Sequence, residues 1–146
     1  MQGGSRRSAI YASLNWKHND IEDFLAAKNW YDMPIGSTGF NIGQVKEQDF
    51  NYSAPLDMTN ISVNYDTEWL LSYWRTGDVG NVFKKNVAQA LRTAEPGFSF
   101  NFFDKEKETL RNACTEVTSE DDSDVCNLGS INMGRIDSIS ELADVV

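Results

Sequence analysis

Hydrophobic and polar positions change period several times along the chain. Residues 9–14 form a short apolar run containing Ile10 and Tyr11, which predicts a strand. Asn19-Asp20 then offers a helix N-cap, and Ile21, Phe24 and Leu25 recur at helical spacing up to Lys28. Across 31–58, Pro34, Pro55 and several glycines interrupt any period, so this stretch reads as loop with room for one short strand. Over 60–64, Ile61 and Val63 alternate with polar residues, as in a half-buried strand. Asp66 is placed to cap a helix containing Trp69, Leu70, Leu71 and Trp74, which Gly77 and Gly80 break. A further helix is predicted over 81–93 with Val82, Phe83, Val87, Ala90 and Leu91 facing inward, ended by Pro96-Gly97. Residues 98–103 are aromatic-rich and strand-like, 125–133 make a candidate strand, and 138–146 begin another helix.

This order of elements predicts an α/β fold, its strands joined by helical crossovers and therefore paired partly in parallel. Trp69 and Trp74 read as core, since aromatics at that spacing usually pack. The chain has 146 residues, enough for one domain, and its 40% hydrophobic content suits a globular protein. It opens within a glycine-rich loop and stops in a helix, so both ends read as cuts through a larger domain.

Charge narrows the partners. A formal net charge of −9 and a pI of about 4.5 argue against binding nucleic acid or an anionic membrane through a basic surface. They leave room for a nucleotide, because a few backbone amides and one or two arginines hold a phosphate locally. No apolar run approaches the roughly 18 residues of a membrane span, and residues 1–8 lack the apolar stretch of a signal peptide. The expectation is a soluble, cytoplasmic protein with reduced cysteines. A zinc site would need Cys114, Cys126, the one histidine His18 and a carboxylate at spacings that match no common zinc pattern, so no metal site is expected. His18 reads as a structural or capping residue, and the acidic residues of 119–124 as a solvated loop.

The chemistry concentrates in 111–133. Asn112, Cys114 and Glu116 occupy alternate positions, which on an extended chain share one face. They offer a hydrogen-bonding amide, a reactive sulfur and a general base. A second thiol, Cys126, follows through a polar loop. The bland alternative is that a free cysteine is a small buried hydrophobe. A cysteine protease would need a base histidine, and His18 lies in a different element with no supporting motif.

Asn112-Ala113-Cys114-Thr115-Glu116, followed by Cys126-Asn127-Leu128-Gly129-Ser130-Ile131-Asn132, resembles the active-site region of ribonucleotide reductase catalytic (large) subunits, most of all the adenosylcobalamin-dependent class II. Three further segments match in order. Residues 2–9, Gln-Gly-Gly-Ser-Arg-Arg-Ser-Ala, resemble the loop that links the allosteric specificity site to the substrate base. Residues 18–28 resemble a His-x-Asp-Ile-x-x-Phe helix, and Glu95-Pro96-Gly97 resembles the turn before the active-site strand.

The resemblance implies a partial ribonucleotide reductase catalytic barrel over 1–146. The family's barrel has ten strands in two five-stranded halves, with a finger loop, here 111–116, carrying the radical cysteine, and a redox-cysteine strand, here 125–133. It implies thiyl-radical reduction of ribonucleoside di- or triphosphates to deoxyribonucleotides, under allosteric control and in the service of DNA replication. Cys114 matches the thiyl cysteine that takes hydrogen from ribose C3′, Glu116 the base for the 3′-hydroxyl, and Asn112 the amide that binds the ribose hydroxyls. Cys126 matches one of the two cysteines that reduce the 2′ position, and Gln2, Gly3, Gly4 and Arg6 match effector- and base-sensing loop residues.

The implied cofactor is adenosylcobalamin, held mainly by the complete enzyme, or else a radical-generating partner subunit. The implied partners are a ribonucleotide substrate, a nucleotide effector, the remaining reductase segments and a thioredoxin-like reductant. In the family the partner of Cys126 lies upstream and the phosphate-binding segments downstream, so the isolated chain is expected to be inactive. The sequence departs from the cobalamin class at Ala113 and Thr115, where that class has Pro and Gly. Two rivals remain: a non-catalytic acidic α/β domain that binds a nucleotide or protein, and a cysteine-loop radical enzyme of the glycyl-radical type.

Overall fold

The structure, a computed structural model, describes residues 9–103, 109–119 and 123–145. Its first part alternates β1 (Ile10–Asn15), α1 (Ile21–Ala26), α2 (Ile42–Gln48), β2 (Thr59–Asp66), α3 (Thr67–Thr76), α4 (Asn81–Thr93) and β3 (Gly97–Asn101). The strands pair in parallel in the order β1-β2-β3, Ile10 lying opposite Thr59 and Ser62 opposite Gly97. Beyond them come a short antiparallel pair, β4 (Leu110–Arg111) and β5 (Thr118–Ser119), a 3-10 turn at Met133–Arg135, and α5 (Ile139–Val145). The mixed α/β class with parallel crossovers is as the sequence predicts. The described residues form three strands of such a sheet and not a closed barrel. Among them no helix is long and apolar enough to cross a membrane.

Strict alternation in β2 gives the sheet two unlike faces. Ile61, Val63 and Tyr65 project to one side, where Leu14 of β1 and the inner residues of α1, α3 and α4 pack with Val63 and Tyr65. The centre of this core is Tyr65, whose ring lies 5.0 Å from Trp69, 5.2 Å from Phe83 and 5.7 Å from Phe100. Burying side chains of this size contributes about 1.5–3 kcal/mol each, and the same burial raises the Tyr65 phenol pKa far above its usual value.

The opposite face carries Ser13 and Asn15 from β1, Asn60, Ser62 and Asn64 from β2, and Ser99 and Asn101 from β3. Ser62, Asn64, Ser99 and Asn101 are buried there. Gly97 fits because a Cβ at that position would stand 2.9 Å from Ser62 Oγ.

Asp66 closes the C-terminal end of β2. Its carboxylate accepts from the Trp69 amide at 3.1 Å, capping α3, and also from the Trp16 indole at 3.0 Å and the Asn15 carboxamide at 3.1 Å. Burial alone would raise its pKa, but these donors together with Lys17 hold it below the ordinary carboxylate range.

Four expectations are corrected. Helix α4 is turned so that Asn86, not Val87 or Leu91, faces inward, and Leu91 is 84% exposed. The buried carboxamide is satisfied, accepting from the Tyr65 hydroxyl at 2.9 Å and donating to the Pro96 carbonyl at 2.8 Å. Trp69 is 8% exposed and donates to the Val79 carbonyl, whereas Trp74 is 62% exposed and touches the Phe103 ring. The 31–58 stretch contains α2, whose short span carries little apolar period but begins with a capping box between Asn41 and Gln44. The strand expected over 125–133 is absent. Its apolar residues Val125, Leu128 and Ile131 are spaced by three, they are exposed, and no strand among the described residues pairs with them.

Candidate active site

The segment carrying Cys114 lies on the polar face of the sheet, pinned at two points. At the end of β3, Asn101 Oδ1 accepts from the Thr109 amide at 3.2 Å and its hydroxyl at 2.9 Å. The Asn101 amide group in turn donates to Asn64 Oδ1 at 2.5 Å and Ser99 Oγ at 3.3 Å. At the opposite end of the sheet, where β2 begins, Asn60 donates from its side chain to the Ala113 carbonyl. The chain from 109 to 113 thus crosses from the C-terminal end of β3 to the N-terminal end of β2.

The β4–β5 pair is joined by a tight connection over 112–117. The Thr115 amide donates to the Asn112 carbonyl at 3.0 Å, and Thr115 has φ +70°, a left-handed conformation that suits glycine far better than a β-branched residue. This is where the cobalamin class has its Gly.

Asn112 is the hub. Its Oδ1 accepts from the Val117 amide at 3.2 Å, and its Nδ2 donates to Glu116 Oε1 at 2.7 Å while lying 4.0 Å from Cys126 Sγ. Asn112 and Glu116 meet across a turn, not along the one face of an extended chain, so the alternation argument is replaced by a hairpin geometry. Asn112, Glu116 and Cys126 are brought together, while Cys114 sits exposed in the turn and lies outside the cavity beside them. That cavity, of about 220 Å³, is walled by Arg111, Asn112, Ser119, Asp124 and Cys126 among others. Both cysteines are free thiols.

Gln2, Gly3, Gly4 and Arg6 lie outside the described residues, as do 120–122 of the acidic loop. Asp124 accepts from the Ser119 hydroxyl. His18 accepts through Nδ1 from the Asp20 amide at 3.1 Å, the local bond of a structural residue. Among the described residues no three potential metal ligands cluster. Nor do these residues cradle a corrin, since the cavity beside Cys126 is small and no imidazole lines it, so no chemical step is derived through that group.

Three contributors escaped the sequence reading. Asn60 and Asn101 pin the loop, and their signal was the alternation of Asn and Ser with apolar residues in β2 and β3. Arg111, first residue of the expected loop 111–116, walls the cavity, a role that its place in the loop did not reveal.

No family model matches the chain, and no solved structure matches it. It is similar to the vitamin B12-dependent ribonucleoside-diphosphate reductase of Thermoplasma acidophilum, 27% identical over 141 residues. The match takes in 92% of this chain but only 18% of the reductase, so the chain spans under a fifth of that relative's length. The likeness is thus a distant one to an oxidoreductase of the ribonucleotide reductase kind.

Proposed function

We propose that this chain forms part of the catalytic barrel of a ribonucleotide reductase, with 111–116 as its finger loop and Cys114 as its thiyl residue. One observation carries the reading. Asn112 links Glu116 at 2.7 Å with the sulfur of Cys126 at 4.0 Å, on the loop that presents Cys114. Amide, carboxylate and thiol are the groups that the chemistry needs around one ribose.

In this reading Cys114, as a thiyl radical, removes hydrogen from ribose C3′ and later returns it. Glu116 takes the 3′-hydroxyl proton, its orientation fixed by Asn112. Cys126 and a second thiol supply two electrons, so that ribonucleotide and dithiol become deoxyribonucleotide, disulfide and water. The relative's description names vitamin B12, so a cobalamin held by the remaining segments of the enzyme is the proposed radical source, and an alternative is a partner subunit. A dithiol-driven reduction suits a reducing compartment, hence the cytoplasm. A thiol beside Asn112 favours this over a glycyl-radical lyase, which needs no second reductant.

The test is deoxyribonucleotide formation by the 146-residue chain alone and with the reductase's remaining segments supplied in cis or in trans. Turnover is expected only with those segments. In the restored enzyme Cys114→Ser should abolish it, Glu116→Gln should slow it, and Cys126→Ser should allow substrate decomposition without clean reduction. Full activity of the Cys114→Ser enzyme would overturn the proposal.

A further inference from the structure

The stretch 29–58 lies against the end of α4, where Arg92 pairs with Asp32, and together they enclose a cavity of about 310 Å³. It shares no lining residue with the cavity beside Asn112 and Cys126. Three of its walls are aromatic rings. Trp30 is fixed by its indole N–H, which donates to the Pro55 carbonyl at 3.0 Å. The Tyr31 ring lies against Gly43, where a Cβ would stand 2.7 Å from it, so only a glycine admits the ring. Phe50 completes the aromatic lining and is exposed. Such rings favour a flat aromatic ligand, and the volume falls in the range of small-molecule sites, roughly 300–1,000 Å³.

Two polar groups in the lining have bonding capacity to spare. Lys46 and Lys28 both stand over the Trp30 ring, at 5.2 Å and 5.7 Å from its centre, and their side chains are only 8% and 10% exposed. An ammonium has three donors. Lys46 uses all three, on the Phe50 and Tyr52 carbonyls and on Asp57. Lys28 has one acceptor among the described residues, Glu95, whose other oxygen accepts from the Ile61 amide at 3.1 Å. A nearly buried ammonium thus keeps donors for an oxygen in the cavity. Glu47 is the converse case. Lys28, Lys46 and Arg92 are each paired with a carboxylate, whereas Glu47 accepts from the Tyr31 hydroxyl and meets no cation among the described residues. Its carboxylate keeps lone pairs for a donor.

We infer that this cavity binds a flat, uncharged aromatic lactam, its ring against Trp30, Tyr31 and Phe50, its carbonyl accepting from Lys28 and its N–H donating to Glu47. Charge narrows the class. An anionic ligand would meet Glu47 and Glu95, and a cationic one would meet Lys28, Lys46 and Arg92, so a neutral ring that carries both an acceptor and a donor suits the lining best.

The experiment titrates the nitrogen-15-labelled 146-residue chain with three bicyclic probes and follows the Trp30 indole resonance, identified by its loss in Trp30→Phe. The probes are 2-quinolone, a neutral lactam; quinoline, which has an acceptor and no N–H; and 2-naphthoate, an anion. The lactam should bind about tenfold more tightly than quinoline, the worth of one hydrogen bond to a charged partner, and 2-naphthoate should bind most weakly. Glu47→Ala should bring the lactam down to the affinity of quinoline and leave quinoline unchanged. Phe50→Ala should weaken both rings alike. Both substitutions fall on exposed side chains, so the fold survives them. No saturable binding of the lactam, a lactam bound no more tightly than quinoline or 2-naphthoate, or unchanged lactam affinity in either variant overturns the assignment. None of these readouts involves turnover, so the reductase reading, tested by deoxyribonucleotide formation, stands or falls separately.

Discussion

The body of the molecule, 9–103, and the described chain beyond it, 109–119 and 123–145, are held by different physics. In the body, Val63 and Tyr65 have no exposed surface, rings pack around them, and the buried carboxamides of Asn86 and Asn101 are bonded. Beyond it, Leu128 and Ile139 are each 87% exposed, and shape comes from turns and from a few side-chain bonds back to the sheet. The residues proposed for chemistry are on the second kind of chain. Burial holds the body together, whereas the hairpin takes its position from directional contacts that contribute about a kcal/mol each. Substitutions should therefore separate folding from site geometry.

The largest contrast is between two tryptophans of α3. Trp69→Ala should cost about 3–5 kcal/mol, as expected for a large side chain removed from a packed core. Trp74→Ala should change stability by under about 1 kcal/mol, in line with an exposed position. Urea unfolding measures both, and equal losses would break the distinction between a buried inner face and an open outer one.

Next in size is the junction at Asp66, which ties β1 to β2 and α3. Asp66→Ala should cost about 2 kcal/mol through loss of a helix cap and two indole or carboxamide bonds. The pH dependence has a definite sign. The folded carboxyl titrates below its unfolded value, so its stabilisation is present above that unfolded value of roughly 3.9 and is lost as pH falls through it toward the folded one. Acid unfolding monitored by tryptophan fluorescence should show a limb below about pH 4 that Asp66→Asn flattens. An unaltered limb in that variant would assign acid sensitivity to other carboxylates.

The pins come third. Asn60→Ala should leave global unfolding within about 0.5 kcal/mol, since Asn60 is exposed. It should nevertheless speed amide exchange at Thr115 and Val117, whose protons are held by Asn112. Asn101→Ala should do the same and also cost the body about 1–2 kcal/mol, because Asn64, Ser99 and Thr109 lose their shared partner. Unchanged exchange in both variants would mean that the hairpin holds itself.

The same division governs what could be read from the sequence. Elements in the body announced themselves by period and cap: Asp66 before Trp69, the alternation around Ile61 and Val63, and the span Asn81–Thr93 agree with the structure. Which face of α4 turns inward did not, because an apolar pattern ranks Val87 and Leu91 above Asn86. Only the positions of Tyr65 and Pro96 make a buried carboxamide favourable there. In the site, residue identities were legible and geometry was not. Alternate spacing suggested one extended face through Asn112, Cys114 and Glu116, yet a turn with Thr115 at φ +70° brings Asn112 to Glu116 instead. That the Arg111 Nε is buried without an acceptor was not legible, because a sequence records residues and not unmet donors.

The smallest effect tests where the turn's shape comes from. A β-branched residue held left-handed costs about 1–2 kcal/mol relative to glycine, while glycine's greater freedom in the unfolded chain removes about 0.4–1 kcal/mol of that gain. Thr115→Gly should therefore stabilise the hairpin by under about 1 kcal/mol, seen as slower exchange of the Val117 amide with little change in the unfolding of the body. Thr115→Pro is the opposing control: it deletes the amide that donates to the Asn112 carbonyl and fixes φ on the negative side. It should abolish Val117 protection and separate Asn112 from Glu116. If glycine weakens protection, the threonine side chain is contributing contacts that offset its backbone strain, and the turn is shaped by local packing. If glycine strengthens it, the backbone conformation is imposed by the two pins on the sheet, and Thr115 tolerates a shape that the body dictates.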